Sequence, residues 1–129
     1  MMIFSLLSWI FASICNSIMD TSSHHYSTSV FKNFNPMWWN GEISWKNKYI
    51  DGDFNKGFRK WWGFNYPVQL TDSFHLFKTL MIIFITISIV TFDSTLIING
   101  YYFLIYIFIY GLLWNITFSL FYDKILRKK

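Results

Sequence analysis

The chain alternates between stretches stripped of charge and stretches that gather nearly all of it. No charged side chain occurs from Met1 to Met19, and from Thr79 to Tyr122 the only one is Asp93. A helix needs about 20 apolar residues to cross a hydrocarbon core, with about 17 to 25 tolerated. The pattern predicts transmembrane helices over residues 2–19, 73–92 and 101–122. The second needs His75 and Lys78 at its interfacial end, where a lysine stem can snorkel. A turn around Asp93, Asn99 and Gly100 separates the last two. The expected fold class is all-α, a single membrane domain over residues 1–129: a three-helix transmembrane bundle with an aromatic-rich interfacial loop, residues 20–72.

Composition agrees with lipid as the solvent. Hydrophobic residues make up 53%, charged residues 14%, and mean hydropathy is +0.31. A soluble domain carries about 25% charged residues, so too little polar surface exists here to coat a globule in water. Aromatics at 23% exclude a disordered chain, and the lone Cys15 excludes a disulfide scaffold. A cleaved signal peptide is not expected at the start. No Lys or Arg precedes Lys32, and Ala12-Ser13-Ile14-Cys15 makes a poor cleavage site.

Cations favour the cytoplasmic side of a membrane. Lys124, Arg127, Lys128 and Lys129 close the chain, and Lys32, Lys46, Lys48, Lys56, Arg59, Lys60 and Lys78 lie between the first two apolar stretches. The Asp93–Gly100 stretch has none. This predicts a multi-pass protein of the inner cell membrane with its N-terminus outside and its long loop and C-terminus in the cytoplasm.

That loop is not an ordinary linker. Between Tyr26 and Tyr66 there are 13 Phe, Trp and Tyr residues in 41 positions, interleaved with Pro36, Gly41, Gly52, Gly57 and Gly63. Trp and Tyr suit a membrane–water interface, and the glycines and proline argue against one long helix. The expectation is a small folded layer on the bilayer, its cations facing lipid phosphates, with Asp51-Gly52-Asp53 as a tight turn. Topology already explains the net charge of +4, so nucleic acid is not an expected partner.

Candidate chemistry is confined to the histidines. Asp20 precedes His24 by four residues, and Asp72 precedes His75 by three. Such spacings share a helix face. In the predicted topology both pairs, with His25, fall at one membrane depth. Imidazole and carboxylate donors suit Zn, Fe or Mn, and three protein ligands leave a position for water or substrate. Asp20, His24, His25, Asp72 and His75 are therefore a candidate metal set, with Lys78 as a candidate holder of a lipid head group. The structural alternative has Asp72 or Thr71 capping the second helix, and Asp20 ending the first. A metal-free acid–base pair is the third reading. Ser5, Asn16 and Asp20 on the first helix form one polar stripe. Asp72, His75, Thr79, Thr86 and Asp93 form a second, and Asn99, Tyr102, Tyr106, Tyr110 and Thr117 a third. All three point to helix–helix packing, with a hydrated path or a groove for a lipid head group as the alternative.

The blocks Asp20-Thr21, His25–Phe31, Ser44-Trp45-Lys46-Asn47-Lys48-Tyr49 and Leu70–Lys78 resemble a family of small, uncharacterised integral membrane proteins of Bacteroidota and their phages. The family often carries Trp where Phe74 stands here. The resemblance implies a membrane protein in which Asp20, His25, Asp72 and His75 belong together, and it carries no activity. Two functional classes follow. One is a non-enzymatic membrane or phage-associated factor that binds lipid, a membrane-protein partner or a second copy of itself. The other is a membrane metalloenzyme acting on a lipid or other amphiphile through the Asp/His set.

Overall fold

A computed structural model of the chain describes residues 2–92 and 100–127 and is mostly helical. The turn expected around Asp93 and Asn99, the stripe positions Asp93 and Asn99, and the cations Lys128 and Lys129 lie outside the described residues. Five α-helices are described: α1 (Met2–His24), α2 (Pro36–Trp39), α3 (Gly41–Ser44), α4 (Ser73–Val90) and α5 (Gly100–Ser119). Three helical stretches are long and apolar enough to cross a membrane: Met2–His24, Ser73–Val90 and Tyr102–Leu126.

The helix bounds differ from the expected ones for local reasons. The first helix runs past Met19 to His24, because its hydroxyls turn back onto their own helix. Thr21 Oγ1 donates to the Ser17 carbonyl at 2.7 Å, and Ser22 Oγ to that of Met19 at 2.9 Å. Such bonds satisfy the side chain without ending the helix. Asp20 and His24 therefore lie on α1. The helix α4 stops at Val90, where the Thr91 N–H donates to the Ile87 carbonyl. Beyond α5 the chain winds on as a π-helix over Leu120–Leu126, so Asp123 and Lys124 are helical rather than part of a tail.

Packing centres on α1, which lies chiefly against α4 and then against α5. Its buried positions include Ser5, Ser8, Ala12, Cys15, Met19 and Ser22, spaced alternately by three and four residues. That spacing makes one stripe along a helix, and small residues on it let backbones approach closely. Ser5 Oγ lies 2.7 Å from the Ser88 carbonyl, and Ser88 Oγ donates back to the Ser5 carbonyl at 2.9 Å. The start of α1 thus meets the end of α4, and the two run antiparallel. Against α5, Ser5 reaches the Tyr110 hydroxyl at 2.6 Å, Trp9 Nε1 donates to the Tyr110 carbonyl, and Ser13 Oγ to that of Trp114. Both chains advance together, so α1 and α5 are parallel.

The distribution of polarity is inverted relative to a protein folded in water. Ser5, Ser13, Ser17, Thr21 and Ser88 are buried, whereas Ile89, Val90, Leu104 and Phe108 are 65–72% exposed. Thr79 and Thr86 bond to carbonyls of their own helix, so of the predicted stripes it is Ser5 and Tyr110 that bridge helices.

Residues 25–72 fold at the end of the bundle where α1 finishes. The chain's last described residues come back to the same end: Val30 N–H donates to the Leu126 carbonyl at 2.9 Å, and Ser29 pairs with Arg127. Asn35 and Asn40 accept from the N–H groups of Met37 and Glu42 and so start α2 and α3. Phe31 stacks on Trp39 at 4.4 Å, and Trp39 in turn meets Phe77 of α4 at 6.0 Å. The expected turn at Asp51-Gly52 forms with both residues at positive φ. There the Lys56 ammonium, 2.8 Å away, holds the Asp51 carboxyl below its ordinary range. A short antiparallel hairpin follows, β1 (Lys60–Trp61) and β2 (Phe64–Asn65).

Candidate functional site

Asp72 begins α4 in extended backbone (φ −157°, ψ 167°), the conformation of a helix N-cap. Its Oδ1 accepts the backbone N–H of His75 at 2.9 Å, which satisfies one of the free donors of the first turn. The same carboxylate takes the His75 side chain: Nδ1 lies 2.9 Å from Oδ1 and 2.8 Å from Oδ2. Asp72 is 1% exposed, so its charge is compensated locally by these donors rather than by water. Thr71 Oγ1 is 3.1 Å from Asp72 Oδ2 and 2.7 Å from the Val68 carbonyl. One hydroxyl proton serves one acceptor, and the shorter contact is to Val68.

The pair opens onto a cavity of about 220 Å³ lined by Ser23, Gly41, Ser44, Trp45, Asp72, Phe74 and His75. Three separate stretches of sequence meet there. Asn47 ties the second to the third: its Nδ2 donates to the Thr71 carbonyl, and its Oδ1 accepts from Arg59 at 3.0 Å. Gly41 sets the distance between α3 and the end of α1. A Cβ at this glycine would sit 2.7 Å from Ser23 Cα and 3.3 Å from the Ser22 carbonyl oxygen, both backbone atoms that cannot swing aside. Gly41→Ala is expected to cost about 1–3 kcal/mol, as overpacking does. It should appear as faster tryptic cleavage at Lys46 and Lys48 while the helix content of the bundle is unchanged. Cleavage at the parent rate would mean that α3 is not held against α1.

The five candidate metal ligands are not brought together. Asp72 and His75 pair with each other. His25 sets its ring edge-on to Tyr122 at 5.6 Å, His24 is exposed, and Asp20 lies half-buried on α1. Among the described residues no group of three or more His, Cys, Asp or Glu side chains forms a set that could hold a metal ion. The Asp20, His24, His25, Asp72 and His75 set expected to take Zn, Fe or Mn is therefore not assembled here. The reason is local: the Asp72 oxygens are engaged by the His75 backbone and ring, and the His25 ring is packed on the third span. Lys78 is exposed, with Nζ 5.9 Å over the Phe74 ring, a cation–π contact rather than a closed anion site.

What the pair can do chemically is set by its orientation. A carboxylate on Nδ1 fixes the neutral imidazole as the tautomer with Nε2 unprotonated, the form that accepts a proton or a hydrogen bond. Nε2 has no hydrogen-bond partner among the described residues. Sequence reasoning found Asp72 and His75 through their spacing but missed Asn47, Ser44 and Gly41. The Ser44–Tyr49 block contained the first two, and only the folded chain shows that it docks on Thr71. Against known proteins, the chain matches no family model, no curated protein and no solved structure.

Proposed function

We propose that the chain is a polytopic factor of the inner cell membrane that acts by binding lipid or a membrane-protein partner, its Asp72–His75 pocket lying at the cytoplasmic interface. The observation that carries this reading is the inverted polarity of the bundle. Burying apolar side chains drives folding in water, and here the helices turn those side chains outward and pair hydroxyls inside. In hydrocarbon that arrangement is the favourable one, because a serine or threonine hydroxyl finds its partner only within the protein.

The orientation follows from charge. Among the described residues, the end of the bundle that carries residues 25–72 holds Lys32, Lys46, Lys48, Lys56, Arg59, Lys60 and Arg127 outside the apolar spans, with Lys78 in the first turns of α4 and Lys124 in the last turn of the third span. The opposite end, at the start of α1, has none among the described residues. By the positive-inside tendency the cation-rich end faces the cytoplasm and the N-terminus faces out. A binding role is favoured over the metalloenzyme because the described donors stop at a two-residue pair, one short of the usual catalytic ligand set.

The test uses single reporters in a Cys15→Ser background. A cysteine at Ser94 is expected to label from outside intact cells, and one at Asn55 only after the membrane is opened, with the protein resisting extraction by alkaline carbonate. Labelling of both from one side would overturn the orientation, and extraction by carbonate would overturn the membrane reading.

A further inference from the structure

The hairpin of β1 and β2 displays exposed apolar side chains at and beside its tip. Its register pairs Lys60 with Asn65 and Trp61 with Phe64, leaving Trp62 and Gly63 as the two turn residues. Both have positive φ, 50° and 85°, as a two-residue turn of the I′ kind demands. Asn and Gly suit the first of these positions, whereas a bulky residue there is strained. Trp62 nevertheless occupies it and is 89% exposed, with Phe64 at 79% and Trp61 at 51%. Among the described residues the Trp62 ring meets only that of the adjacent Trp61, at 5.6 Å, so the strain brings little packing in return within the chain.

We propose that this hairpin is an interfacial anchor, with Trp62 at its tip seated among the head groups of the anionic cytoplasmic leaflet. The proposal rests on the membrane reading above and adds a specific lipid-contacting element to it. Its occupant follows from position and charge. Asn65 is eight residues before Ser73, where the second apolar helix begins, so the foot of the hairpin lies within about 28 Å of chain from that helix. Val68 and Leu70, also exposed, continue the apolar track from the hairpin to α4. Indole prefers the head-group region, where its ring is apolar and its N–H finds a partner. Lys60, at the base of the hairpin, makes no ion pair among the described residues and supplies a cation to the lipid phosphates. Arg59 is committed elsewhere, to Asn47 and the Tyr66 ring at 5.3 Å, and holds the hairpin's root.

The test uses the full chain reconstituted in vesicles of phosphatidylcholine with and without phosphatidylglycerol. The difference in tryptophan emission between the parent and Trp62→Asn isolates Trp62 from the other indoles, and Asn suits the turn, so the variant keeps the fold. Trp62 emission is expected to be quenched by brominated lipids, protected from aqueous acrylamide, and more so when phosphatidylglycerol is present. Lys60→Gln should reduce the lipid-quenched fraction relative to the free one about five-fold, the factor that corresponds to about 1 kcal/mol per cation near an anionic surface. Acrylamide quenching of Trp62 like a free indole, in a protein that still resists carbonate, would overturn the anchor and leave the membrane reading standing. Protection from both quenchers would overturn it as well, because a protein surface would then cover the tip. Release of the protein by carbonate would overturn both.

Discussion

Asp72→Ala is expected to destabilise the fold by about 2–5 kcal/mol, measured as unfolding in mixed micelles followed by circular dichroism. The figure combines two losses. Removing an N-cap acceptor costs about 0.5–2 kcal/mol, and removing a hydrogen bond to a charged group costs about 1.5–3 kcal/mol. Here one carboxylate fills both roles, since Oδ1 holds the His75 N–H and both oxygens hold Nδ1. The two parts can be separated. Asn caps a helix about as well as Asp, so Asp72→Asn should recover the first loss and keep most of the second. His75→Ala made in the Asp72→Ala background should then cost less than it does in the parent, by about 1–2 kcal/mol of coupling. A Asp72→Ala protein within about 0.5 kcal/mol of the parent, the range of an ordinary surface change, would show that Asp72 neither caps α4 nor holds His75.

The three apolar helices were legible because their signal is a long absence. A run without charge needs no partner to be recognised, and Asp93 alone interrupts the last 44 positions before Asp123. The ends were less legible for the same reason. Asp20 reads as the residue ending the first span, yet the hydroxyls of Thr21 and Ser22 bond to the helix that carries them and let α1 run on to His24. The small-residue stripe from Ser5 to Ser22 was present in the sequence at alternating spacings of three and four. It was hidden by reading serines only as polar, when their size is what lets α4 come close.

The candidate site was half legible. Spacing places Asp72 and His75 on one turn whatever the rest of the chain does, and that pair forms. Joining it to Asp20, His24 and His25 required two helix ends to present their side chains to one point, and helical spacing along each element carries no information about that. His25 instead packs against Tyr122, a partner nearly a hundred residues away. Asn47 was beyond reach from sequence for a similar reason, since its link from Arg59 to the Thr71 carbonyl is a property of how residues 44–72 close on themselves. In the sequence Trp62 is one of many interfacial aromatics. Its distinction is a positive φ, which a sequence lacking Asn at that turn position does not announce.

The largest expected effect lies at the crossing of α1 and α4. Ser5→Leu should cost about 3 kcal/mol or more, at or beyond the usual upper end for overpacking, whereas Ser5→Ala should cost only about 1.2 kcal/mol, about 0.6 for each of the two interhelical hydrogen bonds it loses in a membrane. Ser5 is 0% exposed and Ser88 2%, and each hydroxyl lies within 3 Å of the other residue's carbonyl oxygen, so the two backbones have no spare space between them. Alanine removes the Ser5 bonds to the Ser88 carbonyl and to the Tyr110 hydroxyl but keeps the distance, and Ser88 can still donate to the carbonyl of residue 5. Leucine forces the helices apart, and the separation also breaks the Ser88 bond to the carbonyl of residue 5 that alanine keeps. The same substitution at Ile3, which is 70% exposed, should change little. Unfolding of the four proteins in one mixed-micelle system decides the matter: equal losses for Ser5→Ala and Ser5→Leu would mean that hydrogen bonding, not close approach, holds α1 to α4.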